Sequence, residues 1–530
     1  MARSFVGVDV GSGSVRAGLF NTSGELKAQA EHPIQQFMPR ADYVEQSSDD
    51  IWLQVCRCVR EVVTRAAVAP ESVVGLGFDA TCSLVALDAD GRPSSVSPDG
   101  RDEQNIVMWM DHRAIAEARA INATGHEALR YVGGEVSPEM ELPKLLWLKR
   151  HRPEQFERAG LFLDLADFLV YRAIEQPVRS LCTLGCKWNY LAHEQRWPRD
   201  LLETLGLAGL LAGDRVAGAI QAPGSFAGAL SRQAASELGL TTATVVATGI
   251  IDAHAGALGV LGDDPEGSVA MIAGTSACHI AVSEDPCFVP GVWGPYWGAV
   301  FPDGWINEGG QSAFGALIDH VVRDSAAYGP LRDEAQAQGT SVYALLNDRV
   351  RALEASEAYP SRELHVLDYH HGNRSPRADP SLKGMMTGLT LGEDRDALAR
   401  RYLATLQAVS YGTRHIIEAM NESGHAIRTI RLCGGLTSND LWLRELADAT
   451  GLNLEVPDQD EPVLLGAAML GATASGDFTS LRAAAAALVG AGKTIAPRSE
   501  QADFHAAKYR VYKQLYEHQT AYRDVMAAFD

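Results

Sequence analysis

Two glycine-and-hydroxyl turns constrain this chain more than any other feature. The first, Gly11-Ser12-Gly13-Ser14, follows an apolar strand, Phe5 to Val10, that carries Asp9 near its end, and precedes a second strand, Val15 to Phe20. The second, Gly274-Thr275-Ser276, sits in the same way between an apolar strand from Val269 and its return over Ala277 to Val282. Each reads as a β-hairpin with a tip of small residues. The first tip invites the dinucleotide pattern GxGxxG, but Arg16 holds the third glycine position and a strand follows where a helix is needed, so a Rossmann reading is rejected. What the tip offers is room for a phosphate, hydroxyls on Ser12 and Ser14, and the Asp9 carboxylate for a hydrated Mg²⁺. Recurrence of the design nearly half a chain later predicts a duplicated architecture with nucleotide phosphates held between two halves.

Between the tips, Val245 to Thr248 reads as a short buried strand broken by Gly249, and Asp252 opens a helix of small residues. Strand-to-helix junctions of α/β sheets are where ligands bind, because freed backbone N–H groups face the crevice. Asp252 is either such a ligand-facing carboxylate or the cap of its helix. Trp305-Ile306-Asn307 reads as a strand and Glu308-Gly309-Gly310-Gln311 as a glycine-rich exit before a helix from Ser312, which makes Glu308 a second carboxylate at a strand end. Strand Val73 to Phe78 leads into Asp79-Ala80-Thr81-Cys82-Ser83, and Leu84 to Asp88 returns from it; the polar break suits a ligand or an ordinary turn equally. Lys187, between Cys186 and Trp188, either binds an oxygen-rich ligand or snorkels to the surface. Strand Thr429 to Cys433 opens into Gly434-Gly435-Leu436-Thr437-Ser438-Asn439 and a helix, a sequence suited to a flat purine and its ribose.

With 530 residues the chain exceeds one ordinary core and predicts two or more domains. A net charge of -21 disfavours nucleic acid or an anionic membrane as partner. The eight cysteines are scattered and read as reduced thiols, and Cys182-x3-Cys186 lacks a matching second pair, so a zinc site is not expected. No signal peptide precedes the first strand and no run of eighteen apolar residues occurs, which predicts a cytoplasmic protein. The segment DYHHGNRSPRAD, 368–379, reads as a loop braced by Arg374 rather than a metal cluster. Helices are predicted over Asp50 to Ala67, Asp396 to Met420 and Phe504 to Tyr516. Gly490-Ala491-Gly492-Lys493-Thr494 imitates a P-loop, but Ala487 stands where its first glycine is required.

Taken together, DVGSGSVR, GFDATCS, WMDHR, RSLC with CKWNY, GIIDAHAG, AGTSACH, NEGGQSAFG, HGNRSPRADP and CGGLTSN resemble the FGGY carbohydrate kinases, and among them the D-ribulokinase-like pentulose kinases. The resemblance spans most of the chain in order. It implies an α/β fold of two actin-like, ribonuclease H-like domains flanking a catalytic cleft, 1–257 on the sugar and phosphate side and 258–530 on the nucleotide side. It implies ATP and Mg²⁺ as cofactors, a small-molecule sugar as the other ligand, and no nucleic acid or membrane; a homodimer is compatible with it. Asp252 would be the catalytic base. Thr81, Cys82, Lys187, Asp252 and Glu308 would bind the ketopentose, and Asp9 and Asp252 would hold the metal. Ser12, Gly13, Ser14, Arg16, Gly274, Thr275, Gly310 and Gln311 would meet the phosphates, and Gly434, Gly435 and Asn439 the adenosine. Thr81-Cys82 stands where glycerol kinases carry Arg-Glu, which disfavours glycerol. L-ribulose, D-xylulose and ribitol stay open beside D-ribulose, as does a non-kinase actin-like ATPase.

Overall fold

The structure is a computed structural model that describes residues 3–529 apart from 214, 217 and 460. Two large sheets organise it. The first contains β1 (Ser4–Val10), β2 (Ser14–Asn21), β3 (Leu26–Pro33), β4 (Val73–Ala80), β5 (Phe226–Ala229), β6 (Val245–Ala247) and β7 (Ile250–Ile251). The second contains β8 (Ser268–Ala273), β9 (Ala277–Ser283), β10 (Trp293–Trp297), β11 (Trp305–Gln311), β12 (Thr429–Cys433), β13 (Asn453–Val456) and β14 (Lys493–Ile495). Their orders are β3-β2-β1-β4-β6-β5, with β7 beside β4, and β11-β9-β8-β12-β13-β14, with β10 added outside β11. Strand directions correspond step by step: two antiparallel pairs, two parallel pairs and a final antiparallel strand. The duplication read from two turns is a duplication of a whole sheet.

Two strand readings are corrected. Leu84–Leu87 does not return along β4 but pairs with Ile106–Val107 and Leu161–Asp164 in a separate four-stranded sheet. Both edges of β4 are already taken, by β1 on one side and by β6 and β7 on the other. Likewise β11 continues to Gln311, so Glu308 lies in mid-strand and the next helix begins at Gly315. Gly309 and Gly310 are there for packing: a Cβ on either would come within 2.7 Å of Ile416 or Arg374.

The sheets are joined by two helices with almost no polar face, Asp252–Leu261 and Pro462–Ala474. A helix apolar all round must be buried on every side. The second, late in sequence, returns to lie on the first sheet, and glycines let backbone meet backbone. A Cβ at Gly7 would sit 2.1 Å from the Leu464 carbonyl oxygen, one at Gly77 2.0 Å from that of Ala467, and one at Gly259 1.9 Å from that of Pro462. The division drawn after residue 257 therefore falls inside a helix that both halves use.

The predicted helices are present as Ser48–Arg65, Arg395–Glu422 and Ala502–Met526, the first two capped by the side chains of Ser47 and Asp394. The last docks through Tyr509, Tyr512 and Leu515. Lys493, of the P-loop imitation, belongs to edge strand β14 and pairs with Asp440.

Gly7→Ala is expected to lower stability by about 1–3 kcal/mol or more, because the new methyl group collides with backbone that cannot rotate away; chemical denaturation measures it. A second expectation concerns acid. Burial holds His279 down to about 3, and His425 and His505 down to about 4, each neutral and hydrogen-bonded to Thr413, Asn307 and Tyr411 respectively. The unfolded chain takes up these protons near pH 6.5 and the folded chain does not, so their contribution is intact above about pH 6.5 and is lost progressively toward pH 4. The melting temperature should fall across that window, and less steeply in His425→Gln.

Candidate active site

The glycines mark where the fold leaves space. A Cβ on Gly13 or Gly435 would meet nothing within 4 Å, and one on Gly274 nothing nearer than 3.7 Å; none of the three has a left-handed backbone. Neither packing nor conformation demands glycine at these positions, so the emptied space is available to a ligand. Gly434 differs: its φ is 105° and a Cβ would lie 2.3 Å from the Ala273 carbonyl oxygen, a structural requirement. Gly274, Thr275, Gly315, Ala316, Gly435 and Leu436 line a cavity of about 800 Å³. At the other tip, Ser12 Oγ accepts a hydrogen bond from Trp109 Nε1 at 3.0 Å, which leaves its own O–H free to donate. Ser14 donates to Glu31 at 2.7 Å, and Arg16 bridges Asp9 and Glu461.

Three carboxylates gather at the ends of adjacent parallel strands. Asp9 on β1 is in register with Asp79 on β4, Asp79 with Ile250 on β7, and Asp252 follows two residues later. Burial, then the neighbouring Asp9 and Asp252 charges, push Asp79 well above the usual carboxylate range, and neither of its oxygens has a hydrogen bond of regular geometry. Asp252 is not the helix cap, a position held by Ile251; its Oδ1 accepts from the amide of Ala253 at 2.7 Å. A helix N-terminus by itself would hold this carboxyl low. Burial and the charge of Asp9 outweigh that and push it up to about 6. Asp252 is thus mostly ionised at neutral pH and a stronger base than an ordinary aspartate. Hard oxygen donors with net negative charge are the donor set that Mg²⁺ takes.

Beside them lies a second buried charge cluster. Lys187, last residue of the helix Leu181–Lys187, is buried with its ammonium 4.3 Å over the Trp293 ring. The Arg374 guanidinium stacks 4.0 Å over the same ring and donates to Glu308 Oε1 at 3.1 Å. His254 Nε2 lies 3.2 Å from Glu308 Oε2, and His254 Nδ1 3.0 Å from Cys182 Sγ. Burial alone would raise Glu308, but Lys187, His254 and Arg374 more than offset it and hold the carboxylate well below its usual range. Lys187 in turn stays protonated, its burial offset by acidic neighbours, of which Glu308 is ionised. The snorkelling reading of Lys187 is therefore set aside. Thr81 and Cys82 are buried, Thr81 Oγ1 lying 3.3 Å from Ser83 Oγ, and burial pushes the Cys82 thiol up.

Gly310 and Gln311 are not brought to the nucleotide-sized cavity. The Gln311 amide is consumed by Asp368, the Val409 carbonyl and Thr413, while Gly310 abuts Arg374. The cavity wall is formed instead by Gly315 and Ala316. Asn439 caps the helix Asp440–Thr450 and bonds Asn347 and Tyr402. The sequence assigns no individual site role to Asp79, His254, Arg374 or Trp293. An acid inside the apolar run GLGFDA and a histidine in a helix of small residues were available signals. Arg374 was read as a brace for its own loop, whereas it braces Glu308. Trp293 had no signal, since only the β10–β11 register sets it opposite Glu308.

The N-terminal domain of the FGGY family of carbohydrate kinases matches residues 4–259, and its C-terminal domain residues 269–475. The chain belongs to the FGGY family of carbohydrate kinases, and is a sugar kinase. It is 46% identical over 542 residues to an FGGY carbohydrate kinase domain-containing protein of Homo sapiens, covering 99% of this chain and 98% of that one. It is 39% identical over 522 residues to a D-ribulokinase of Saccharomyces cerevisiae, covering 91% of this chain and 73% of that one. A solved xylulose kinase of Rhodospirillum rubrum shares the fold, with TM-score 0.83 at 23% identity over 98% of this chain and 99% of that one.

Glu308→Gln removes a carboxylate that touches His254 and Arg374 and offsets the charge of Lys187. Stripping one partner from a buried ion pair typically costs about 3–5 kcal/mol, so a loss of that order is expected in chemical denaturation. Adding Lys187→Met should recover part of it, because one uncompensated charge leaves with the lysine.

Proposed function

We propose that the protein transfers the γ-phosphate of ATP to the O5 hydroxyl of a 2-ketopentose, D-ribulose before others, giving D-ribulose 5-phosphate. L-ribulose, D-xylulose and ribitol are the competing acceptors. The observation that carries this reading is the buried Lys187–Glu308–Arg374 cluster lying beside Asp252. A site whose charged donors and acceptors are buried rejects acceptors that leave them unpaired. Similarity to the yeast D-ribulokinase supports the choice of sugar.

In this reading Glu308 accepts from sugar hydroxyls while Lys187 donates to the ketose oxygens, with Thr81 and Cys82 along the wall. Asp252 takes the proton of the attacking hydroxyl as its oxygen bonds to phosphorus; in a loose transition state that proton becomes acidic late, so a base near 6 suffices. The free O–H of Ser12 and the backbone amides of Gly13 and Thr275 face the phosphates, and the cavity at Gly435 takes the adenosine, with Gly434 and Asn439 shaping its edge. Mg²⁺, held by Asp9 and Asp252 with Asp79 behind them, supplies neutralisation of phosphate charge when bound. Residues 1–257 then form the sugar and phosphate side and 258–530 the nucleotide side. A cytoplasmic location and a homodimer accompany this reading; among the described residues no helix is long and apolar enough to cross a membrane.

A sugar panel with coupled ADP detection tests the acceptor: D-ribulose is expected to give the highest kcat/KM, and a preference for glycerol or an aldose, or full ATP hydrolysis without sugar, refutes the proposal. Asp252→Asn should lower kcat by about 10²–10⁴-fold, the usual worth of a general base. ADP should still raise its melting temperature, and a variant with undiminished turnover removes Asp252 from the chemistry.

A further inference from the structure

One buried cluster has no role in the phosphoryl transfer just described. Cys182 and Cys186 are four residues apart on the helix Leu181–Lys187, so both thiols lie on one helical face. Ser180 fixes the start of that helix by accepting from the Cys182 amide at 3.2 Å. His254, on the helix Asp252–Leu261, brings Nδ1 to 3.0 Å from Cys182 Sγ. The two sulfurs and a ring nitrogen of His254 all lie within 4.8 Å of one another, and all three residues have no solvent exposure. The spacing of the two cysteines gave no reason to expect a metal; the third donor comes from a helix far along the chain.

The surroundings are those of a ligated imidazole. The other nitrogen of His254 faces Glu308 Oε2 at 3.2 Å, and Glu308 is itself held by Arg374. A carboxylate on the far nitrogen is the usual device that fixes the tautomer and ring orientation of a metal-bound histidine. Close to Cys186, the Tyr296 hydroxyl is buried and has no hydrogen-bond partner among the described residues.

We propose that Cys182, Cys186 and His254 bind one Zn²⁺, with Nδ1 of His254 as the third ligand and its Nε2–H directed at Glu308. Two thiolates and an imidazole are the soft-to-borderline donor set that selects zinc over the magnesium of the phosphate site. Zn–S near 2.3 Å and Zn–N near 2.0 Å in a tetrahedron place sulfur and nitrogen about 3.5 Å apart, so Cys182 and His254 need separate by only about 0.5 Å. Three protein ligands leave a fourth position, open to the Tyr296 hydroxyl or to water. Because binding deprotonates both thiols and uses a site that only the folded chain assembles, the ion enters as the chain folds rather than through the closed core. It then holds His254, and His254 holds Glu308 in the sugar site. This last step rests on the pentulose-site reading, whereas the metal site does not.

The test is metal analysis of full-length protein purified without metal-affinity steps, joined to refolding with Co²⁺ of the reduced protein stripped by chelator under denaturing conditions. About one equivalent of zinc per chain and a thiolate-to-cobalt absorption band are expected. Both should vanish in Cys182→Ser and Cys186→Ser and persist in Cys287→Ser, whose cysteine lies elsewhere. If the serine variants do not fold, stripping and reloading the wild-type chain decides the matter alone. A wild-type chain with no retained zinc and no cobalt band overturns the proposal and leaves a hydrogen-bonded thiol–imidazole pair. With the site confirmed, stripping should raise KM for the pentulose about 10-fold or more, with a smaller change in kcat, the scale of losses when support around a ligand is removed. An unchanged KM refutes the link to Glu308 only; zinc retained in a protein that phosphorylates no pentulose refutes the pentulose reading and leaves the metal site standing.

Discussion

The fold depends on one backbone-to-backbone contact. The helix Pro462–Ala474 lies so close to β1, β4 and the helix Asp252–Leu261 that no side chain fits between them, and Gly7, Gly75, Gly77, Gly259, Gly466 and Gly471 line the contact. Interiors this dense respond to a single added methyl group. The consequence for function is positional. The strands that end in Asp9 and Asp79, and the helix that begins with Asp252, are packed against the same late segment, so the three carboxylates share one rigid support. A charged cluster needs such support, since a displacement of about 1 Å at a reacting group costs catalysis heavily.

Electrostatics then divides the site into two regions of opposite logic. Beside Asp9, burial and like charge raise the carboxyls of Asp79 and Asp252, and the group favours an incoming cation. Around Glu308, the charges of Lys187, His254 and Arg374 outweigh burial, and the carboxylate stays ionised. The first region is short of positive charge and the second is not, the difference on which the proposed reading rests when it sets metal and phosphate apart from a neutral, oxygen-rich sugar. Trp293 lies against both Lys187 and Arg374 and gives the two cations a common aromatic ring in place of water.

What the chain alone made legible was the local chemistry at turns and strand ends. The glycine-hydroxyl tips, Asp9, Asp252, Lys187 and Glu308 all stood out because their residue types are unusual in apolar surroundings, and the two tips announced the duplicated sheet. Errors arose where a local pattern has more than one cause. Gly309-Gly310 resembled a turn, yet those glycines relieve crowding inside a strand. Leu84–Leu87 resembled the return of a hairpin, yet its neighbour had no free edge.

By itself, then, the sequence determined which residues carry charge or leave space at strand ends, because hydrophobic periodicity and the demands of glycine and proline act over a few residues. Only the tertiary structure decided which of them meet. Asp79 joins Asp9 through strand register, Arg374 reaches Glu308 from a distant loop, and His254 links Glu308 to Cys182 across two helices. Those meetings also set the protonation states, since burial and neighbouring charge, both long-range in sequence, outweigh the helix terminus that local reading assigned to Asp252.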